Sequence, residues 1–328
     1  MKELYIYNNY NNQEVMETYI SLIISAFEKN GYSCKCVTSL SRIKKNSLIF
    51  FLVSKDAFKF YLKGYHNFIE WQQGIASAES YMRHHSKIRK KLLDIIDRFV
   101  LKKAKMVFYV SNAMKEYYES KFNLKTDNKS IIMPCFNETL DTHILNKKRY
   151  KNFNFAYVGS LSEWQCFNET LVLYEKIEKT IHESKILILT FEVEKAKKII
   201  EQHDIHNYIV KTVPSSLVKK ELEDITYGFV IRKDNVVNRV ATPTKISSYL
   251  SAGVIPIFSS CLEDFAEIST EYDVGFGIDD NDIGSVLEFV LSAKNEKLIK
   301  QGIVDIFNNY YSYNHYFELV YAFVKNNF

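Results

Sequence analysis

The chain has 328 residues, 47% of them hydrophobic, 15% aromatic and 25% charged, with a formal net charge of +4. That length exceeds what one hydrophobic core usually supports, so two domains are expected, and the composition excludes a disordered chain. The mild charge, without an arginine-rich or RNP-like motif, gives no ground for a nucleic-acid partner, and no apolar run is long enough to cross a bilayer.

The start, Met1 to Tyr7, lacks the apolar run of a signal peptide before polar Asn8. The 5 cysteines are scattered apart from Cys34 and Cys36 and form neither a disulfide framework nor a metal-ligand spacing. A cytoplasmic protein without bound metal is expected.

Apolar periodicity then predicts alternating strands and helices. The series runs from a strand at Leu4–Tyr7 and a helix over Gln13–Lys29 to strands at Ser33–Val37 and Ser47–Val53. A helix over Asp56–Lys63 and a strand at Asn67–Glu70 follow. From Arg83 through Lys105 the chain reads as one basic amphipathic helix, with Lys87, Arg89, Lys90, Lys91, Arg98, Lys102 and Lys103 opposed only by Asp94 and Asp97. Its apolar stripe can pack in its own domain while its lysines face anionic lipid, each worth about 1 kcal/mol near such a surface. Met106–Val110 is a strand, Ser111 caps a helix to Phe122, Ile131–Met133 is the last strand of this half, and polar Thr139–Asn152 reads as a connector.

The alternation repeats in the second half. Strands are expected at Phe153–Val158, Lys185–Leu189, Asn207–Thr212, Tyr227–Arg232, Val254–Phe258 and Val274–Ile278. Helices are expected over Asn168–Ile181, Val193–His203, Thr242–Gly253, Leu262–Ile268, Ile283–Ser292, Lys297–Asn308 and Asn314–Val324. The economical architecture is α/β: two Rossmann-like, doubly wound domains facing a cleft, at residues 1–150 and 151–310, with a terminal helix over 311–328.

Asn238 to Gly253 carries the densest functional signal. Thr242 is placed to cap a helix, Pro243 suits its first position, Ile246, Tyr249 and Leu250 recur at helical spacing, and Gly253 marks the stop. Free backbone N–H groups near Thr244 and Lys245, the helix dipole and the Lys245 ammonium together suit an anionic diphosphate. Capped surface helices are common, but the flanking strand runs put this helix start at the carboxyl edge of a parallel sheet, where ligands bind in open α/β folds.

Several of these segments resemble glycosyltransferase family 4 and related GT-B enzymes of bacterial surface-polysaccharide (O-antigen or capsule) biosynthesis. Thr242-Pro243-Thr244-Lys245 with Tyr249 to Gly253 is similar to the family's donor-phosphate helix. Tyr157 to Leu161 resembles the glycine turn opening the second domain, Phe108 to Met114 the strand and serine-capped helix before the connector, and Trp71 through Glu79 a cleft loop. The resemblance implies two Rossmann-like domains around a nucleotide-sugar cleft, and retention at the anomeric carbon. It implies donor-phosphate contacts at Gly159, Ser160, Thr242, Thr244 and Lys245, with Arg239 and Arg232 standing in for family cations that this chain lacks.

The sequence also departs from that pattern. Val240 and Ser248 stand where many members carry paired glutamates, and Ser160 occupies the position of an arginine. The first loop, Asn8 to Asn12, lacks the family's glycines.

The expected reaction is glycosyl transfer from a nucleotide diphosphate sugar to a glycan or lipid-linked acceptor, with no tightly held cofactor. Arg232, Arg239 and Lys245 would stabilise charge growing on the leaving diphosphate. Trp71, Gln73, Gly74 and Glu79 are the acceptor-side candidates, although a tryptophan also serves a core and a glutamate at a helix start also complements its dipole. His84 and His85 diverge on a helix and suit a solvated face, and Ser111 suits a cap rather than a nucleophile. Two alternatives remain: a non-catalytic GT-B-like subunit and a nucleotide-sugar epimerase.

Overall fold

The computed structural model describes residues 2–9, 13–148, 150–279 and 282–328; Tyr10, Asn11 and Asn12 of the asparagine-rich first loop lie outside them. The chain forms two compact units, one of residues up to Asn137 together with Ser312–Phe328, the other of Glu138–Tyr311. Each contains a six-stranded sheet.

In the first unit, β1 (Lys2–Tyr7), β2 (Tyr32–Val37), β3 (Leu48–Phe51), β4 (Phe68–Gln72), β5 (Met106–Tyr109) and β6 (Ser130–Ile132) lie in the order β2-β1-β3-β4-β5-β6. In the second, β7 (Asn154–Val158), β8 (Lys185–Leu189), β9 (Tyr208–Lys211), β10 (Tyr227–Val230), β11 (Ile255–Ser259) and β12 (Phe276–Ile278) lie in the order β12-β11-β10-β7-β8-β9. All pairings are parallel. Strands covered by helices on both faces need no polar alternation, which is why β3, β5 and β11 are apolar and buried along their whole length. The second order is that of doubly wound nucleotide-binding folds, with the reversal between β7 and β10. Crossovers leave these two strands toward opposite faces, and a crevice opens beyond their carboxyl ends.

The structure departs from the sequence expectations at particular places. The basic segment is two helices, Ala76–His84 and Lys87–Lys103, because His85 takes a left-handed conformation (φ 50°) and Ser86 restarts the chain by accepting from Arg89 N. Residues 138–148 and Tyr150, expected in the first domain, belong to the second unit: Asp141 caps a helix over Thr142–Lys147, and the Lys148 ammonium donates to the Leu222 and Glu223 carbonyls. Short helices over Ser215–Glu221 and Val236–Arg239 occupy segments the periodicity left as loops. The terminal helix Tyr313–Asn327 packs on Gln13–Lys29 within the first unit, through the Lys29–Glu318 pair and the Asn30 amide donating to the Tyr321 carbonyl.

The strand β4 runs past the expected stop at Glu70, which draws polar side chains into the first core. The Ser54 hydroxyl donates to Glu70 Oε1 at 2.9 Å and accepts from the Gln72 amide at 2.8 Å, while the Tyr118 hydroxyl lies 3.3 Å from Gln72 Oε1 and 3.2 Å from the Gly74 carbonyl. Glu70 and Asp97 are fully buried, and neither Glu70 Oε2 nor Asp97 Oδ2 has a hydrogen-bond partner. Burial disfavours the carboxylate form, so Glu70 is held well above the ordinary range and Asp97 is pushed up to about 7. A raised acid binds its proton more tightly when folded. Its contribution to stability is therefore complete below the ordinary carboxylate range and lost as pH rises through about 7. Urea unfolding of the wild type should show stability falling by about 3 kcal/mol or more from pH ~5 to pH ~8, and Asp97→Asn should reduce that fall. An unchanged slope in the variant would remove Asp97 as the proton holder.

Candidate anion site at the strand-order reversal

Three segments meet at the carboxyl edge of the second sheet: the turn after β7, the loop after β10, and the start of the helix before β11. β7 ends at Val158 and turns at Gly159, whose φ of 139° lies in a region that favours glycine. The loop after β10 carries Arg232 and Lys233 into the Asn235-capped helix Val236–Arg239. The following helix covers Thr244–Ser251 and begins one residue later than expected. Pro243, not Thr242, is its N-cap, and its ring supplies no side-chain hydrogen bond to the first turn. Gly253, at φ 67°, ends it and lets Val254 N donate back to the Tyr249 carbonyl.

Tyr249 fixes this helix against the sheet. Its hydroxyl accepts from Val158 N at 3.0 Å and lies 3.2 Å from the Ala156 carbonyl, joining the helix to β7, and 3.4 Å from the Phe229 carbonyl of β10. Its ring lies so close to Gly228 that a Cβ there would come within 2.6 Å of it. The glycine in the middle of a buried strand is thus explained by close approach of a ring.

The anchored helix places Lys245 inside the protein, 8% exposed. Its ammonium lies 4.4 Å from the centre of the Tyr157 ring and against the Gly159 turn, where a Cβ would come within 3.3 Å of it. Lys245 Nζ has no hydrogen-bond partner. Burial, with the charge of Arg232 adding to it, holds the Lys245 pKa well below its ordinary value. Arg232 is equally buried, but its guanidinium is engaged, donating to Gln165 Oε1 at 2.7 Å and to the Gln165 and Ile231 carbonyls at 3.1 Å, and its backbone N–H donates to the Ser259 hydroxyl. Two buried cations, one without a hydrogen-bond partner, thus stand beside a helix start whose N-cap is a proline. Such an arrangement suits an anion. Arg232 also lines a cavity of about 700 Å³ with Lys233, Asp234, Arg239, Ser259 and Ser260.

The other expected donor-side residues are placed less uniformly. Gly159 and Ser160 form the turn, with the Ser160 hydroxyl 3.0 Å from that of Ser162. Thr242 and Thr244 are half-buried. Arg239 is exposed and held by both carboxylate oxygens of Asp234, at 2.5 and 2.8 Å, a pairing that raises its pKa. Val240 is buried, and the Ser248 hydroxyl turns back to the Thr244 carbonyl. Tyr157 and Tyr249 entered the sequence reading only as members of the turn and helix motifs, and Gln165 and Ser259 were given no role in the site. The Gln165–Arg232 contact joins residues 67 positions apart, which leaves no local signal.

Of the first-unit candidates, Trp71 belongs to β4 and is 1% exposed, its ring against Tyr19 and Phe50, so its area serves the core. Gln73 is exposed. Glu79 is half-buried, with Oε1 lying over Gly74 where a Cβ would displace it, and Arg83 lies 3.5 Å from Oε2. Burial raises the Glu79 pKa, with Arg83 opposing. His84 and His85 are exposed, and Ser111 caps its helix by accepting from Met114 N.

No protein family matches the chain by sequence, and neither does any curated protein. Solved structures do match in fold. A variant of S. aureus TarM, solved with fondaparinux, α-GlcNAc-glycerol and UDP, is 12% identical with a TM-score of 0.63 over 86% of this chain. The match spans 57% of the TarM chain. The sucrose-phosphate synthase of Thermosynechococcus elongatus is 9% identical with a TM-score of 0.70, covering 99% of both chains. HepE of Anabaena, solved with UDP-glucose, is 9% identical with a TM-score of 0.69, over 99% of this chain and all of that one. At such identities the likeness shows the fold, the GT-B pair of Rossmann-like domains.

Tyr249→Phe should lower stability by about 1–2 kcal/mol, because Val158 N loses its buried acceptor. Urea unfolding measures this; a variant as stable as the wild type would show that the hydroxyl does not hold the helix on the sheet.

Proposed function

We propose that the chain is a glycosyltransferase that moves a sugar from a nucleoside diphosphate sugar to a glycan or lipid-linked oligosaccharide. It acts in the cytoplasm, in peripheral contact with the membrane, in assembly of a bacterial surface polysaccharide. The observation that carries the reading is the buried Lys245 ammonium, without a hydrogen-bond partner, between the Gly159 turn and Arg232 at the switch point of a doubly wound sheet. The UDP and UDP-glucose in the TarM and HepE structures support it.

In this reading the bond between the anomeric carbon and the diphosphate oxygen breaks, and its electron pair leaves with the diphosphate. Lys245, Arg232 and the first-turn N–H groups of Thr244–Ser251 hold the growing negative charge. Gly159, Ser160, Thr242 and Thr244 complete the phosphate contacts, and Arg239 can join them by exchanging Asp234 for phosphate. The acceptor oxygen forms the new bond and gives up its proton; Glu79, with its raised pKa, is the acceptor-side carboxyl assigned to that proton, and Gln73 and Gly74 belong to the same loop. The family resemblance supports retention.

A nucleoside diphosphate should raise the melting temperature by mass action, and screening UDP, GDP, CDP, ADP and dTDP should single out one base. Lys245→Ala should weaken that nucleotide about 10- to 100-fold and lower kcat about 100-fold or more. A response that survives Lys245→Ala unchanged would place the phosphates elsewhere.

At pH values above the free protein's depressed Lys245 pKa, binding should also take up a proton, because the anion favours the charged form of the lysine. Affinity should accordingly fall as pH rises through the free protein's depressed Lys245 pKa. Calorimetry in buffers of different ionisation heat should show uptake in the wild type and a smaller uptake in Lys245→Ala; equal uptake would exclude Lys245 as the group that titrates.

One observation favours a second reading, a non-catalytic subunit of the same fold: the paired-carboxylate positions hold buried Val240 and inward-turned Ser248. Nucleotide binding without sugar transfer to any acceptor would select it.

A further inference from the structure

The helix Lys87–Lys103 buries one stripe, Leu93, Asp97, Val100 and Leu101, in the first core. At 3.6 residues per turn, Ile88, Leu92 and Ile95 fall on the opposite face. They are 77%, 57% and 55% exposed, respectively. Folding explains none of these three, since they lie on the side of the helix farthest from its own core. Around them stand the exposed cations Lys87, Arg89, Lys91, Arg98, Lys102 and Lys103. Neither acid of the helix offsets this charge: Asp97 is buried, and Asp94 is paired with Lys121 at 2.6 Å. The helix Ser54–Tyr61 packs beside it through Phe58 and Tyr61 on Phe99 and ends next to Leu62, which is 70% exposed and flanked by Lys63.

We propose that this face is a docking surface for an anionic phospholipid bilayer, with Ile88, Leu92 and Ile95 entering the headgroup–acyl boundary and the flanking lysines and arginines lying over lipid phosphates. Charge complementarity selects this occupant. A helix that rests in a membrane interface combines an aliphatic ridge with basic flanks, and long lysine stems let the ridge sink while the ammonium stays at headgroup level. A nucleic acid would satisfy the cations and leave the aliphatic ridge in water. A protein interface is depleted in lysine at its centre, where this face is rich in it. The proposal deepens the peripheral placement above and gives it residues. It does not depend on the donor site, because the helix lies in the other compact unit.

The test is co-sedimentation of the full chain with vesicles of phosphatidylcholine alone or mixed with phosphatidylglycerol, at low and high salt. Binding is expected only to the phosphatidylglycerol mixture and should weaken with salt. Ile88→Ser with Leu92→Ser and Ile95→Ser should lose about tenfold or more of it, and so should Lys87→Gln with Lys91→Gln, Arg98→Gln and Lys102→Gln. All substituted side chains are exposed, and unchanged melting temperatures would verify folding.

Equal binding to neutral vesicles, or binding that either variant retains in full, would overturn the proposal. So would single-stranded RNA binding that only the charge variant loses, or self-association that the serine variant abolishes, with no lipid binding in either case. The nucleotide-induced melting shift should be the same in both variants and the wild type. Loss of lipid binding with that shift intact separates this surface from the donor site.

Discussion

Tyr249 ties together the parts on which the second unit depends. A parallel sheet presents ligand-binding backbone only where neighbouring crossovers diverge, and here that place lies between β7 and β10. The Tyr249 hydroxyl reaches the backbone of both strands, while Gly228 leaves room for its ring. Because Lys245 is one turn earlier on the same helix, the seating of the ring decides where the ammonium sits. Packing and chemistry therefore share one element.

That placement has an electrostatic cost. A cation removed from water without a hydrogen-bonded counterpart depresses its own pKa, and Arg232 nearby makes the conflict larger. Arg232 escapes part of it through Gln165, whereas Lys245 has only the face of Tyr157. A site in such a state gains most from a multiply charged anion, which relieves both cations at once. The first unit solves a buried-charge problem in the other direction: Glu70 and Asp97 are driven toward their protonated, neutral forms within a network through Ser54, Gln72 and Tyr118 that leads to the Gly74 loop.

The α/β class and the doubly wound sheets were legible because buried parallel strands write uninterrupted apolar runs such as those of β3 and β11. The break at His85–Ser86 was not, since a non-glycine residue in the left-handed region leaves little mark on periodicity. The short helices over Thr142–Lys147, Ser215–Glu221 and Val236–Arg239 span too few turns to show a period. Trp71 was placed in a loop because Trp71 through Glu79 resembles the family's cleft loop. The structure keeps the segment in β4, where pairing with β5 extends through Gln72 and Tyr109.

By itself the sequence determined the strand–helix alternation, the position of Lys245 in the first turn of a helix between two buried strands, and the basic, amphipathic character of the 87–103 segment. These are local properties, set by side-chain periodicity and by glycine and proline. Only the tertiary structure decided that Lys245 is buried without a hydrogen-bond partner, that Arg232 is held by Gln165, that Arg239 is taken by Asp234, and that Ile88, Leu92 and Ile95 face away from the core. Burial and partnership depend on which distant segments pack together, and spacing along a chain carries no record of the neighbours that folding brings to it.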